Sequence, residues 1–313
     1  MKLVIQIPCL NEEQTLPRTL ADLPVQLPGI DEIEVLLIDD GCTDGTVAVA
    51  REAGVRHFVR FASTRGLARA FSAGLDAALK LGADVIVNTD ADNQYSANDI
   101  ERLIAPILSG QAEMVVGARD IENHPEFGWL KKQLQRLGTR VVCAAAGVSL
   151  PDATSGFRAF SRLAAMRLFV HSDFSYTLET IIQAGRNRLG VTWVPIRTNR
   201  KTRESRLFRS VPSYLKRSAG TIVRIVAMYE PLKVFFYAGG LLTAAGLILG
   251  LRFVWYWMLH AHAGHIQSLI LAAVLLIMGF QTLVMGLLAD LIAANRRLLE
   301  DMLHRVKTRE LPR

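Results

Sequence analysis

Short apolar runs alternate with amphipathic segments along the first 196 residues of the chain. Five apolar runs rich in Val, Ile and Leu predict strands, at residues 3–7, 34–38, 55–59, 85–88 and 114–116. Four segments with apolar residues at helical spacing predict the helices between them, at residues 13–22, 46–53, 66–80 and 98–108. The alternation is typical of βαβ units, so it predicts an α/β fold with a doubly wound, mostly parallel sheet.

Two long uncharged stretches towards the C-terminus predict a pair of transmembrane helices. Residues 234–251 contain no charged residue, and the 24 residues of 266–289 are also uncharged. Each is close to the roughly 20 residues that a helix needs to cross a bilayer. Aromatic residues 255–257 lie near the turn between the spans, where an aromatic belt belongs. The pattern predicts a hairpin over 233–290, with Arg252 able to reach the headgroups.

Charge is distributed unevenly, and the distribution predicts an orientation. The 313 residues carry a formal net charge of +7 and have a mean hydropathy of +0.25. Residues 197–233 contain ten basic and two acidic residues, so this segment alone carries +8. The turn of the hairpin has no Lys or Arg, whereas basic residues flank both of its outer ends. We therefore expect the N-terminal α/β domain and both termini in the cytoplasm, at a bacterial or archaeal-type cytoplasmic (inner) membrane crossed more than once.

Several classes of protein are excluded by composition and by missing motifs. Cys9, Cys42 and Cys143 are far apart, which favours reduced thiols and argues against a disulfide framework. No Gly-x-Gly-x-x-Gly and no Walker A lysine motif follows a predicted strand, so neither a dinucleotide fold nor a P-loop is expected. The basic residues lack interleaved aromatics, so we expect no nucleic-acid partner.

Polar clusters follow three of the predicted strands. They are Pro8 to Glu13, Asp39 to Thr46, and Asn88 to Gln94. Ligands of open α/β sheets bind at the carboxyl ends of the strands, where these clusters belong. Asp90 and Asp92 lie two residues apart, so their carboxylates repel each other unless a cation is present. Hard oxygen ligands select Mg²⁺ or Mn²⁺, which bridge to phosphate oxygens.

Five ordered motifs resemble those of the GT-A, family 2 inverting glycosyltransferases. The motifs are Pro8-x-x-Asn11-Glu12-Glu13, Asp39-Asp40-Gly41-x-x-Asp44-Gly45-Thr46, Arg65-Gly66-Leu67-Ala68-x-Ala70, Asp90-Ala91-Asp92-x-Gln94 and Gly117-Ala118-Arg119. The later segment Asp152 to Arg162 resembles the acceptor-side motif of dolichyl- and polyprenyl-phosphate sugar transferases, and the hairpin is similar to their membrane-anchored branch. Cys42 stands where that family usually has serine, so we expect no ligand contact there.

The resemblance implies roles for individual residues of this sequence. The nucleotide sugar would be bound by Pro8, Asn11, Glu12, Asp39, Asp40, Gly66, Asp90, Ala91 and Arg119. A Mg²⁺ or Mn²⁺ ion would be held by Asp90, Asp92 and Gln94. Ser155 and Arg158 would belong to the acceptor loop and contact the lipid phosphate. Catalysis would depend on Asp92 through the metal, on Arg119 near the phosphates, and on Asp152 if the acceptor needs a base.

The basic segment next to the first span has two interpretations, and the sequence leaves both open. Its cations can hold the chain on anionic lipids at the membrane surface. Alternatively, a subset binds the lipid phosphate over the active site, namely Arg200, Lys201, Arg203 and Ser205. Apolar residues between 207 and 226 recur at roughly helical spacing among the cations. This pattern predicts interfacial amphipathic helices.

The expected activity is transfer of a hexose from a GDP-mannose or UDP-glucose type donor to undecaprenyl or dolichyl phosphate. Inversion would give a β-linked polyprenyl-phosphate sugar. A phosphate acceptor is already anionic at pH 7 and needs no general base. The alternative is a polysaccharide-synthase-like family 2 transferase with a sugar hydroxyl as acceptor, although no Gln-x-x-Arg-Trp motif precedes Trp193.

Four regions are expected along the chain. They are a GT-A catalytic domain over 1–200, basic interfacial helices over 201–232, the transmembrane hairpin over 233–290, and a basic cytoplasmic tail over 291–313. Gly246 and Gly250, four residues apart, permit close helix packing within or between chains, so a homo-oligomer stays open.

Overall fold

A computed structural model describes the chain at residues 1–120, 129–170, 176–199, 231–259 and 266–311, together with Gly220. The structure divides into two compact units. The first contains Met1–Ile222 and His304–Arg313, and the second contains Val223–Leu303. The first unit carries the sheet and its helices, whereas the second carries most of two long apolar helices.

One mixed sheet of seven strands forms the centre of the first unit. In chain order they are β1 (Lys2–Cys9), β2 (Glu32–Asp39), β3 (His57–Arg60), β4 (Val85–Asn88), β5 (Met114–Arg119), β6 (Arg158–Ser161) and β7 (Val191–Ile196), arranged β3-β2-β1-β4-β6-β5-β7. All neighbouring pairs are parallel except those that β6 makes with β4 and β5. The predicted doubly wound, mostly parallel sheet is confirmed, and β6 and β7 were not predicted.

The central strands are near-continuous apolar runs because both faces of the sheet are covered. Leu3–Ile7 of β1 and Val85–Asn88 of β4 are buried throughout. β3 begins two residues later than the apolar run predicts. Val55 packs in the core beneath the preceding helix and donates its amide to the Ala50 carbonyl, so it ends a helix and does not begin a strand.

Helices of the first unit follow most strands. They are α1 (Leu16–Ala21), α2 (Thr46–Glu52), α3 (Leu67–Lys80), α4 (Ile100–Leu108), α5 (Trp129–Ala146), α6 (Arg162–Arg167) and α7 (Tyr176–Arg186). The first four match the predicted helices, although α1 is shorter at both ends. α3 starts directly after Gly66, whose φ of 93° lies in the region that favours glycine. α5, α6 and α7 were not predicted.

α5 and α7 pack closely against each other. Gln135, Thr139, Val142 and Ala146 recur at helical spacing along α5 and are all buried. A Cβ atom at Gly185 of α7 would overlap the Ala146 carbonyl oxygen, so the helices approach through a glycine. This contact fixes α5, which forms one wall of the candidate site.

The second unit contains α8 (Pro231–Leu259) and most of α9 (Ile266–Glu310). Their most apolar windows have mean hydropathies of 2.0 and 2.3, so both are long and apolar enough to cross a membrane. A Cβ atom at Gly239 of α8 would lie 3.0 Å from the Gly279 carbonyl of α9, so small residues permit close packing. Residues 291–310 of the predicted tail continue α9 as helix. Residues 201–219 and 221–230, where interfacial helices were predicted, lie outside the described part of the chain.

We expect Gly185→Ala to destabilise the first unit, because the added methyl group meets backbone that cannot rotate away. Overpacking of this kind costs about 1–3 kcal/mol. Gly138→Ala is the matched control, because it is also a helical glycine and a Cβ there meets nothing within 4 Å. Thermal unfolding of the purified full chain should show a lower Tm for the first variant only. Equal melting temperatures would contradict the close approach of α5 and α7.

Candidate active site

Three loops that carry the sequence motifs leave the same edge of the sheet. β1 lies between β2 and β4, and Cys9 at the end of β1 pairs with Asp39 at the end of β2. Pro8 precedes Cys9 in this ladder, and β4 ends nearby at Asn88. The polar clusters after these strands therefore meet at the carboxyl edge, as the sequence predicts.

The loop after β1 is held by the loop after β2. Asn11 has a φ of 55°, and its side-chain oxygen accepts a hydrogen bond from the Thr43 amide at 2.8 Å. The Asn11 amide donates to the Cys42 sulfur at 3.3 Å, and the Glu12 amide donates to the Thr46 hydroxyl at 2.8 Å. Burial raises the pKa of Cys42 to about 11, so a neutral thiol accepts this bond. Asn11 and Glu12 thus have fixed backbones.

Two buried aspartates at the end of β2 organise the next loops. Asp39 accepts hydrogen bonds from the Cys42 amide at 2.7 Å and from Arg60 Nε at 3.0 Å. Burial opposes its ionisation, but these donors outweigh burial and hold the pKa of Asp39 below its usual value. Asp40 accepts hydrogen bonds from the Gly66 amide at 2.9 Å and from the Arg65 amide at 2.7 Å. The structure therefore brings Asp39, Asp40 and Gly66 together.

The loop after β4 carries the three expected metal ligands and is supported from two sides. Asp92 Oδ1 accepts a hydrogen bond from the Gln94 amide at 3.1 Å. The Gln94 carbonyl accepts from the amide of Asn199, just beyond β7, at 2.9 Å, and the Asn199 side chain donates to the carbonyl one residue earlier. From α1, the Thr19 hydroxyl donates to the Ala91 carbonyl at 2.9 Å.

The chemistry of this loop fits a divalent cation that is shared with a substrate. The described residues contain no group of three or more His, Cys, Asp or Glu side chains that could hold a metal ion. Asp90 and Asp92 supply two carboxylates, and Gln94 supplies an amide oxygen. Mg²⁺ is usually bound by one or two carboxylates together with substrate phosphates. The donor set is therefore suited to an ion whose remaining ligands come from a diphosphate.

A buried ion pair lies at the end of β5. Arg119 Nε is 2.7 Å from Asp152 Oδ2, and its Nη2 is 3.2 Å from Oδ1. The Thr154 hydroxyl donates to Asp152 Oδ1 at 2.9 Å and accepts from Arg119 Nη2 at 2.7 Å. Gln135 of α5 donates to the same hydroxyl at 2.7 Å. Two expected catalytic residues, Arg119 and Asp152, are thus in direct contact.

This contact decides the protonation state of Asp152. Burial opposes its ionisation, but the Arg119 guanidinium and the hydrogen bonds from Arg119 and Thr154 outweigh burial, so the pKa of Asp152 lies below its usual range. Burial also disfavours the charged guanidinium, yet Asp152 raises the pKa of Arg119. A carboxylate with a lowered pKa is a weak proton acceptor. The geometry makes Asp152 the partner that orients Arg119, a pairing that the sequence did not predict, and it makes the carboxylate poorly suited to act as the base that the sequence considered.

Three residues outside the sequence motifs join the loop after β4 to the segment before β6. They are Tyr95, Asn88 and Tyr176. The Gly156 amide donates to the Tyr95 hydroxyl at 3.1 Å. Asn88 donates to the Gly156 carbonyl and to the Tyr176 hydroxyl, both at 2.9 Å. Burial and the nearby Asp90 carboxylate raise the pKa of Tyr95 to about 12. Only the positions of Tyr95 and Asn88 in the sequence could have indicated this role, because Tyr95 directly follows the acidic motif and Asn88 ends a buried strand.

Ser155 and Arg158, expected in the acceptor loop, are both fully buried. Arg158 donates to the Ala153 carbonyl at 2.8 Å and to the Thr177 carbonyl at 2.6 Å, and burial lowers its pKa to about 10. The Ser155 hydroxyl accepts from the Phe157 amide at 3.3 Å. Both side chains support the loop from inside, which differs from the expectation that they contact a lipid phosphate. Arg200, Lys201, Arg203 and Ser205 lie outside the described residues, so their part in acceptor binding stays a prediction.

A cavity of about 430 Å³ opens beside the ion pair. Arg119 lines it together with Arg136 and Arg140 of α5, and residues 150–151 form an apolar wall. Among the described residues of this lining, Asp120 is the acidic one. Three guanidinium groups around one cavity favour an anionic ligand, since Arg binds phosphate and carboxylate through paired hydrogen bonds.

Comparison with known families agrees with this geometry. The profile of Glycosyl transferase family 2 matches residues 4–169. The chain belongs to glycosyl transferase family 2. A second profile, the GtrB C-terminal hairpin, matches residues 230–294, which include α8 and the first part of α9. This family 2 glycosyltransferase therefore joins a sugar-transfer domain to a C-terminal hairpin whose two helices are long and apolar enough to cross a membrane.

Characterised relatives resemble the glycosyltransferase over most of their own length. A UDP-N-acetylglucosamine–dolichyl-phosphate N-acetylglucosaminyltransferase of Methanococcus voltae is 31% identical over 61% of this chain and 83% of the relative. A polyprenol monophosphomannose synthase of Mycolicibacterium smegmatis is 27% identical over 62% of this chain and 76% of the relative. Both names describe sugar transfer to a polyprenyl-type lipid phosphate.

A solved structure shares the fold of the glycosyltransferase. Glucosyl-3-phosphoglycerate synthase from Mycobacterium tuberculosis, in complex with Mn²⁺ and UDP-glucose, superposes with a TM-score of 0.54 at 19% identity. The match covers 72% of this chain and 78% of that chain. The GT-A fold expected from the sequence motifs is confirmed.

We expect Arg119→Ala to lower the free energy of unfolding by about 3–5 kcal/mol, because it leaves the Asp152 carboxylate buried without a counter-charge. The double variant Arg119→Ala/Asp152→Ala removes both charges and should recover part of this loss. In the unaltered protein the pKa of Asp152 is lowered. The contribution of the ionised carboxylate to the free energy of unfolding is therefore complete above about pH 4–5 and is lost only as the pH falls further.

In the single variant, Arg119→Ala, the pKa of Asp152 should instead rise, because the buried carboxylate has lost its counter-charge. Protonation then stabilises the folded state, so the Tm of this variant should increase as the pH falls from about 8 to 5. Thermal unfolding at several pH values measures both effects. The ion pair would have no energetic role if the single and double variants melted together at every pH.

Proposed function

We propose that the protein transfers a sugar from a nucleotide-diphosphate sugar to polyprenyl phosphate at a cytoplasmic membrane. The arginine-lined cavity beside the Arg119–Asp152 pair carries the proposal. It lies next to a loop suited to a shared metal ion, in a family 2 glycosyltransferase with a membrane hairpin. Relatives named for polyprenyl- and dolichyl-phosphate sugar transfer support the same acceptor class.

The charge around the cavity favours a phosphate acceptor over a sugar hydroxyl. Arg136 and Arg140 can donate charge-assisted hydrogen bonds to phosphate oxygens, while Arg119 is oriented by Asp152. A hydroxyl acceptor needs a base, and the lowered pKa of Asp152 makes that carboxylate a poor one. A phosphate is already ionised at neutral pH. The polysaccharide-synthase alternative is therefore the weaker candidate.

The opposite side of the site is suited to the donor. Loops that contain Asn11, Asp40 and Gly66 surround the carboxyl edge where a nucleotide would lie. Asp92 and Gln94 would hold Mg²⁺ or Mn²⁺, with Asp90 facing the nucleotide. The bound cation would neutralise the charge that develops on the departing nucleoside diphosphate. The solved structure with Mn²⁺ and UDP-glucose supports this arrangement for the fold.

Attack by an anionic phosphate oxygen on the anomeric carbon, from the face opposite the leaving group, inverts the configuration. Arg119 is oriented by Asp152 and lies near Asp90, whose charge also raises the pKa of Arg119. It would therefore stabilise negative charge between donor and acceptor. An α-linked donor would give a β-linked polyprenyl-phosphate hexose. The basic segment with Arg200 and Arg203 would add contacts to lipid phosphate and to anionic lipids.

The activity should appear in a donor screen with the full chain in lipid nanodiscs. Undecaprenyl phosphate is offered with GDP-mannose, UDP-glucose or UDP-N-acetylglucosamine, with Mg²⁺, Mn²⁺ or a chelator. We expect one donor to give a lipid-linked sugar and free nucleoside diphosphate only when the metal is present. Asp92→Asn should lower kcat at all acceptor concentrations. Nucleotide release that is the same without the lipid would contradict the acceptor assignment.

Arg136→Gln separates the acceptor side from the donor side. Loss of a charge-assisted hydrogen bond should raise the KM for undecaprenyl phosphate about tenfold or more, and should leave the KM for the nucleotide sugar nearly unchanged. Lys80→Gln is the matched control, because Lys80 is exposed at the end of α3 and does not line the cavity. Equal changes in both KM values would mean that the cavity does not bind the acceptor.

A further inference from the structure

α5 has one face packed in the protein and an opposite face that exposes apolar side chains. The inner face is the buried series that includes Gln135 and Val142. On the opposite face, Leu137 is 58% exposed and Val141 is 38% exposed, one helical turn apart. Arg140 is exposed between them. Single exposed apolar residues are ordinary, but two on adjacent turns of one helix face form a small patch.

The same helix is strongly basic. Its sequence from Trp129 to Ala146 contains two lysines and two arginines, and no acidic residue. Lys132 and Arg136 are partly exposed, and Arg140 is exposed. Cations beside exposed leucine and valine are typical of helices that lie in the surface of a membrane. Each basic residue near an anionic leaflet contributes about 1 kcal/mol to binding.

The exposed face is continuous with the cavity. Arg136 and Arg140 both line that cavity, and they directly precede Leu137 and Val141 in the sequence of the helix. A lipid phosphate that enters between these arginines carries its hydrocarbon tail outwards. The tail then needs an apolar environment directly beside the cavity, and the outer face of α5 is next to it.

We infer that the outer face of α5 rests on the cytoplasmic surface of the bilayer, with Leu137 and Val141 among the headgroups and Arg136 and Arg140 on lipid phosphates. The acceptor role of the cavity rests on the proposed function, whereas the contact with the bilayer does not. The contact makes α5 a third membrane-binding element of the chain, separate from the hairpin and from the basic segment 197–233. A lipid surface complements the positive charge of this face, whereas a second copy of the same basic face would repel it.

A fluorescent label placed on the outer face tests this directly. Leu137→Cys is labelled with an environment-sensitive dye, and the full chain is reconstituted in vesicles of phosphatidylcholine and phosphatidylglycerol that contain lipids spin-labelled near the headgroup. Val25→Cys is the matched control, because Val25 is an apolar residue that is 90% exposed outside α5. The unsubstituted chain serves as a second control, because it reports any labelling of the native cysteines. This background should be low, because Cys9 is buried and burial raises the pKa values of Cys42 and Cys143.

We expect the label at 137 to shift its emission to the blue and to be quenched several-fold more than the label at 25. Equal quenching at both positions would overturn the inference. So would a label at 137 that is shielded from an aqueous quencher but not reached by the lipid quencher, because a second protein copy would then cover this face.

A kinetic variant connects the surface to the acceptor. Leu137→Glu should raise the KM for undecaprenyl phosphate in nanodiscs several-fold, and should leave the KM for a short, water-soluble prenyl phosphate unchanged. Val25→Glu should change neither value. Equal effects on both acceptors would indicate a local packing defect and contradict the membrane role. If the unaltered protein used neither acceptor, the proposed function would fail, while the quenching experiment would still decide the contact of α5 with the bilayer.

Discussion

The buried ion pair between Arg119 and Asp152 is the interaction on which both sides of the candidate site depend. A charge buried without its partner costs several kcal/mol, so each member fixes the position of the other. The pair joins the end of β5 to the segment before β6, and Gln135 extends the network into α5 through Thr154. The position of the arginine-lined cavity therefore follows from the same hydrogen bonds that keep Asp152 ionised.

The antiparallel strand β6 explains why the acceptor-side segment reaches the donor-side edge. β6 lies between β4 and β5, and its first residue, Arg158, pairs with Asn88 at the end of β4. The residues before β6 must therefore arrive at the carboxyl edge of the parallel strands. There the Gly156 amide donates to Tyr95, and Asn88 donates to the Gly156 carbonyl. The loop after β4 and the segment before β6 are consequently held together by one hydrogen bond to Tyr95 in the loop and one from Asn88 at the end of the strand.

The sequence predicted what local patterning determines and missed what distant contacts determine. Five strands, four helices and the clustering of Asp40 and Asp90 at one edge followed from apolar runs and strand-end residues. β7 was missed because Trp193 and other positions of this edge strand are exposed, and β6 because its four residues include a buried arginine. The supporting role of Arg158 was also unpredictable, because one of its acceptors, the Thr177 carbonyl, lies 19 residues further along the chain.

The electrostatics of the site favour an acceptor that arrives already ionised. Arg119 gives its closest contact to Asp152, so this pair is nearly neutral, and Arg136 and Arg140 add two further guanidinium groups to the lining of the cavity. A neutral hydroxyl acceptor would gain little from these two cations and would find only a weakly basic carboxylate nearby. A phosphate monoester gains charge-assisted hydrogen bonds and needs no proton transfer. Under the proposed function, the same cations would also be drawn to the anionic surface in which such an acceptor is embedded, so membrane binding and acceptor selection would share one physical origin.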